Sequence, residues 1–419
     1  MKSKKLNVRF LPLSLSLIIL IGLMAMTLTA CSGNEQHSGE QGTTKITFDP
    51  CSGSKVLTEE ISKDGTITMP ANPTWKSDYT FMGWYSDKDY TTEFVNSGLS
   101  VDATAYAKWT TAGKTVRTEI LDLYEVTEDT SNPEEGWEWN AASRTLTLSG
   151  FTLDTEQLDA NDSAVGFVFP KCPKDPNTDG APRHKHTPDC PTNTLILIDG
   201  TVNTVDVSRA TNEYYSAPFY SNNALTIKSS GSGTPGKLNV TAAQSKDRSI
   251  AIYSHGDLTL ESGDISGIAG KSIDSSSIGI QAFLGSIYIK GGTITATGGT
   301  CESIADTKAI FSGSFGLKAD EIQIDDGTVT ATGGSAKDSL SSGIFGTQGL
   351  RLNGGSITAK GDTAAVASFE TLTIEGATVN GAAANITEVK DVDPNKKVLH
   401  TFVDNNAATM KEVSIQPLN

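Results

Sequence analysis

The chain has 419 residues with 33 Lys and Arg against 49 Asp and Glu, and this acidic balance argues against nucleic acid and anionic polymers as default partners. Its 40 glycines, its low aromatic content of 7% and the alternation of β-branched residues with Ser, Thr and Gly exclude a helical class, because no 3.6-residue apolar period runs through it. The length is enough for two or three domains with their own cores.

At the N-terminus Lys2, Lys4, Lys5 and Arg9 precede an apolar run from Phe10 to Thr27, the pattern of a secretory signal over residues 1–30. The run ends in Leu28-Thr29-Ala30-Cys31, which resembles a bacterial lipobox. That resemblance implies cleavage before Cys31 and lipidation of its thiol, placing the protein in the cell envelope, anchored to the cell membrane on its extracytoplasmic face. A transmembrane signal with an incidental cysteine is the alternative, although the run is barely long enough to span a bilayer. Residues 31–43 are polar and read as a flexible tether. Cleavage removes four basic residues and no acidic ones, so the mature charge is 29 − 49 = −20. With Cys31 assigned to lipid, Cys51, Cys172, Cys190 and Cys301 are too few for a disulfide framework, though the location permits a bridge.

Residues 44–110 read as a small β-domain. Ile46-Thr47-Phe48-Asp49-Pro50, Gly65-Thr66-Ile67-Thr68-Met69-Pro70, Tyr79-Thr80-Phe81-Met82-Gly83-Trp84-Tyr85-Ser86-Asp87 and Ala105-Tyr106-Ala107-Lys108-Trp109 follow one another in an order that resembles the Listeria/Bacteroides repeat, also called the internalin B-repeat. The resemblance implies a β-grasp-like module used as a spacer or adhesive unit. Phe48, Phe81, Trp84, Tyr106 and Trp109 are expected to share its core, with Gly83 turning the chain beside the Trp. Cys51-Ser52 stands where the family favours Asn-Gly, Asp78 where it favours Gly, and Ala105 where it favours Leu.

From residue 114 to 390 one pattern recurs: apolar-x-apolar, two polar or small residues, Gly, a small polar residue, then an apolar residue. It starts at Leu258, Ile287, Ile322 and Leu350, with looser copies at Leu146, Leu195, Leu225 and Leu372. An alternating strand, a glycine corner and a second alternating strand is what one coil of a right-handed parallel β-helix requires. Copies lie 22 to 49 residues apart, so the excess leaves as loops. Eight coils give a rod on the order of 40 Å long. The fold class expected is therefore all-β: a β-grasp-like repeat domain followed by a right-handed parallel β-helix, with residues 391–419 as a C-terminal cap. The opening, Gly136-Trp137-Glu138-Trp139-Asn140 and Arg144 to Gly150, resembles the first coil of β-helical lipoproteins of anaerobic bacteria that are assigned to carbohydrate binding.

Two groups of residues are candidate sites. The first is the longest insert, in which Cys172, His184, His186 and Cys190 supply a two-Cys, two-His zinc set, since His184 and His186 share one face of an extended segment. Its His-x-His-x-x-x-Cys ending resembles short Cys/His motifs of gut-anaerobe surface proteins, but the gap from Cys172 to His184 is longer than theirs. A Cys172–Cys190 disulfide, or neither, stays open. The second group is aromatic: Tyr214, Tyr215, Phe219 and Tyr220 crowd one loop, and Trp137 and Trp139 share one strand face. Such platforms suit the apolar faces of sugars, with Asn212 and Asn222 nearby to orient them. The alternative is that these aromatics cover the end of the β-helix.

Acids are scattered singly at corners, Asp325-Asp326 being the chief pair, no P-loop or nucleophile elbow is present, and calcium stays open as a cofactor although no motif supports it. The sequence therefore points to a monomeric, non-catalytic surface protein that binds an extracellular glycan, or a host or matrix surface, through β-helix loops. A polysaccharide lyase or hydrolase and a protein-binding stalk are the rival readings.

Overall fold

A computed structural model describes residues 44–417 apart from 53–54, 160, 172–189, 212–213, 303–311, 338, 376, 380–385, 390–398, 405 and 407. Residues 1–30 and the lipidation candidate Cys31 lie outside the described residues. Among those described every regular element is a strand, and no helix is long and apolar enough to cross a membrane.

The small domain is a sheet in the order Leu57–Glu60, Lys45–Asp49, Ala103–Thr111 and Thr80–Tyr85, with a parallel central pair and antiparallel flanks. Ile46, Phe48, Trp84, Ala105, Ala107 and Trp109 form its core. Phe81 and Trp84, three residues apart, should point to opposite faces. A register shift between Phe81 and Gly83, with Gly83 at φ 133°, lets the Phe81 ring reach both Trp84 and Trp109 edge-on. Tyr106 does not join them. It alternates with the inward Ala105 and Ala107, so its ring faces the other side, where the Lys88 ammonium lies 5.5 Å from its centroid. Cys51 takes a left-handed φ of 52°, which accounts for the Asn-Gly preference of the family at this turn.

This domain is docked on the first coils of the larger one. Asp154, buried at 1% side-chain exposure, accepts from Lys76 and, at 2.8 Å, from Arg209, with the Tyr79 hydroxyl at 3.3 Å. Lys76 also reaches Asp206 at 3.0 Å, and the Arg209 guanidinium lies 5.2 Å from the Trp75 ring. Burial pushes the Asp206 carboxyl up, but hydrogen bonds from Ser208 and Lys76 outweigh it and hold that group below the usual carboxylate range.

The rest is a parallel β-helix whose coils have three faces. In the fifth coil these are Ser276–Ala282 on the front, Ile287–Ile289 on the side and Thr293–Thr297 on the back. Successive coils pair in parallel on every face, as the repeat predicts: Leu258 opposes Ile287, then Ile322, Leu350 and Leu372. Leu258, Leu260, Ile287, Ile289, Ile322, Ile324, Leu350 and Leu352 are all buried in one core. The two earliest copies are offset by two residues from the sequence alignment. Leu195 opposes Leu146 and Ile227, and the inward position facing Leu225 belongs to Asn193. A two-residue shift keeps the same side chains inward, so composition alone hides it. Asn193 is fully buried yet satisfied, accepting from Arg144 Nε at 2.9 Å and donating to Ser221 at 3.2 Å.

Two backbone devices hold the coils in register. At the side-to-back corner Gly292 has φ 88°, and a Cβ there would lie 2.5 Å from the Gly263 carbonyl oxygen of the coil below, so only glycine fits. On the front face a column of buried serines, Ser216, Ser249, Ser277, Ser314 and Ser341, stands one above another. The Ser249, Ser277, Ser314 and Ser341 hydroxyls donate to carbonyls of their own coils at 2.6–2.7 Å. Those same hydroxyls accept the backbone N–H of Gly270, Gly299, Gly334 and Asp362 from the following coil.

Both ends are closed by antiparallel strands. Trp137–Asn140 lies antiparallel on Thr145–Leu148, while Leu399–Phe402 pairs with Ala364–Ser368 and Glu412–Pro417 with Ser356–Lys360. No parallel ladder edge at these positions is left open to a second chain.

Candidate functional site

The front face carries an outward column in which Asp122, Val168, Tyr220 and Tyr253 occupy one level of successive coils. Tyr220 and Tyr253 stack face to face, 4.9 Å between centroids and 2° from parallel. Tyr253 is buried and Tyr220 half-buried, so the inner ring braces the outer one. The Tyr220 hydroxyl donates to Asn222 Oδ1 at 2.8 Å, which fixes both groups.

These residues border a cleft of about 510 Å³, a volume in the range of small-molecule sites. Tyr124, Tyr215 and Tyr220 supply its aromatic surface, Ile120, Val165 and Val168 its floor, and Asp122, Asp159, Asn161 and Asn222 its polar rim. Backbone bonds set the rim. Asp122 Oδ1 accepts the Tyr124 N–H at 2.8 Å, and Asp159 Oδ1 accepts those of Asn161 and Ser163 at 2.8 and 2.9 Å. Burial raises the Tyr215 phenol well above its ordinary value, helped by Tyr253 and Tyr220, so it stays a neutral donor.

Of the six aromatics proposed from sequence, Tyr215 and Tyr220 line this cleft. Tyr214 is 60% exposed beside it. The expectation for Phe219, Trp137 and Trp139 is corrected. Phe219 alternates with Tyr220, points inward and stacks on Phe167 at 5.3 Å. Trp137 and Trp139 lie on the N-terminal closing strand itself and are buried in the core, where Trp137 Nε1 donates to Glu135 at 2.7 Å, so neither offers a face to a ligand. Tyr124, Asp122 and Asp159 were missed because they come from segments far apart in the chain and carry no local motif.

Within the Cys/His candidate group Cys190 is buried and disulfide-bonded, which withdraws its sulfur from the proposed zinc set. Cys172, His184 and His186 lie outside the described residues, as does Asn212. Among the described residues no group of three or more His, Cys, Asp or Glu is placed to hold a metal ion. Asp325 and Asp326 are both exposed, and Asp325 is occupied by Gln323 and Asn353.

A family model described as the Listeria-Bacteroides repeat domain matches residues 45–108, and one described as a beta helix repeat matches residues 287–305 and 322–344. The chain is thus an all-β protein that combines a Listeria-Bacteroides repeat with a β-helix. No curated protein and no solved structure matches it.

Proposed function

We propose that this is a lipid-anchored protein of the outer cell surface that binds carbohydrate in the tyrosine cleft without turning it over. The observation that carries this reading is the convergence of Tyr124, Tyr215 and Tyr220 with two amides and two carboxylates in one preformed cleft. Tyrosine faces match the apolar faces of sugar rings, and fixed amides and carboxylates match their hydroxyls. The docked small domain, tied down at Asp154, acts as a rigid base that holds the cleft away from the membrane. A lyase needs a basic side chain to accept a proton, and the described lining contains no Lys, Arg or His.

A glycan array probed with the mature ectodomain tests the reading. Tyr220→Ala is expected to lower affinity for any captured glycan at least tenfold with an unchanged melting temperature, while Cys31→Ala releases the full chain from the membrane fraction. Since Asp122 and Asp159 share the cleft, a hydrolase is the rival. Release of reducing sugar that disappears in Asp122→Asn would establish that rival instead.

A further inference from the structure

The cleft sets two carboxylates beside its tyrosines. Among the described residues that line it, Asp122 and Asp159 are the charged ones. Each has one oxygen committed to backbone N–H groups, and the second oxygen of each makes no hydrogen bond among the described residues. Among the described residues, the Lys171 ammonium lies 5.4 Å from the Tyr124 ring centroid and pairs with Glu125, and Arg248, which opposes Tyr215 in the next coil, lies 3.6 Å from Asp247. Electron-rich tyrosine faces beside carboxylates form a site for a cation carried on an apolar frame.

Building on the carbohydrate reading, we propose that the cleft selects sugars bearing a protonated amine, hexosamine units with a free amino group, over their N-acetylated and uronate counterparts. The ring packs on Tyr220 and Tyr215 while the ammonium pairs with the unbound oxygens of Asp122 and Asp159. Acetylation removes the charge, and a uronate meets two carboxylates of its own sign. The mature chain, at 29 − 49 = −20, adds a long-range field of the same sense.

Titration calorimetry with a glucosamine tetramer and an N-acetylglucosamine tetramer of equal length, at pH 5.5 and low salt, tests this. The glucosamine tetramer is expected to bind about tenfold more tightly, an advantage that shrinks as salt is raised to 0.5 M. It should disappear in the Asp122→Asn, Asp159→Asn double variant, to which the two tetramers bind with equal affinity. Equal or tighter binding of the acetylated tetramer by the native protein would overturn the amine preference and leave the carbohydrate reading standing. Binding of neither would remove both. Unchanged glucosamine affinity in the double variant would assign the attraction to the acidic surface at large and overturn the site. If the double variant unfolds, the two-ligand comparison and its salt series on the native protein still decide.

Discussion

The hydroxyl of Ser277 accepts the backbone N–H of Gly299 at 2.6 Å across the boundary between two coils while donating to Gly270 O at 2.6 Å within its own. One side chain therefore satisfies two backbone groups in a fully buried place, and Ser249, Ser314 and Ser341 repeat the arrangement. Ser277→Ala orphans both groups at once and is expected to cost about 1–3 kcal/mol of unfolding free energy. The exposed-corner control Ser232→Ala should stay within about 0.5 kcal/mol. Urea denaturation measures both, and equal midpoints for the two variants would remove the column's role in stability.

At the domain junction the buried carboxylate of Asp154 is shared by Lys76 and Arg209, both of which keep part of their side chains in solvent. Replacing it with Asn leaves two cations facing a neutral amide, at a cost of about 3 kcal/mol given that Lys76 remains 39% exposed. The surface pair Lys45–Glu60, exposed at 49% and 63%, provides the contrast: Lys45→Met should cost under about 1 kcal/mol. Calorimetric unfolding should also show the small domain separating as an earlier transition in Asp154→Asn. A single transition at the native temperature would mean the junction is held by packing alone.

The repeat was legible because each coil buries an apolar pair at i and i+2 beside a corner glycine, a pattern fixed by the pleat and independent of loop length. Period two also gave the errors, where it was applied to composition without parity. Phe219 and Tyr220 crowd one loop in the sequence, yet adjacent residues face opposite ways, and Tyr106 lies three positions from Trp109 along an unbroken strand, so the two face opposite sides. The cleft was half legible. Tyr215 and Tyr220 stand out as a local cluster, but Asp122, Tyr124 and Asp159 reach it only because coils separated by long loops stack in register. The serine column was invisible for the same reason, since each of its members is an ordinary serine within its own coil.

Cysteine chemistry separates three environments. Burial, with Asp49 adding, pushes the Cys51 thiol up to about 12, and burial pushes that of Cys301 up to about 11. Neither is disulfide-bonded, and both should resist a maleimide at pH 7.5 in the native protein yet react within minutes in urea. Cys190 is bridged, and its expected partner is Cys172. Peptide mapping without reduction should recover that pair. A zinc ion found by elemental analysis of the purified protein, with Cys190 alkylatable, would restore the metal alternative.

Lys318 is expected to make the stability of the β-helix depend on pH. It stands on the front face opposite Gln281 and Phe345, only 7% exposed, with its ammonium 4.8 Å from the Phe315 ring centroid. Desolvation, with Arg248 adding and Asp320 opposing, lowers its pKa to about 7. Below that pH the folded protein bears the cost of a buried charge. Between about 7 and the ordinary lysine value near 10.4, the unfolded chain holds a proton that the folded chain has released, so stability rises with pH across this window. Lys318→Met removes the linkage while keeping the aliphatic bulk. The variant is expected to be more stable than the native protein at pH 6, by up to roughly 4 kcal/mol, with the difference closing as pH approaches 10. Because tyrosines also titrate at the upper end, the informative quantity is the difference between the two proteins at each pH. Urea midpoints taken from pH 6 to 10 supply it. A difference that stays constant over that range would show that Lys318 keeps its proton in the folded state and that its charge is compensated in place.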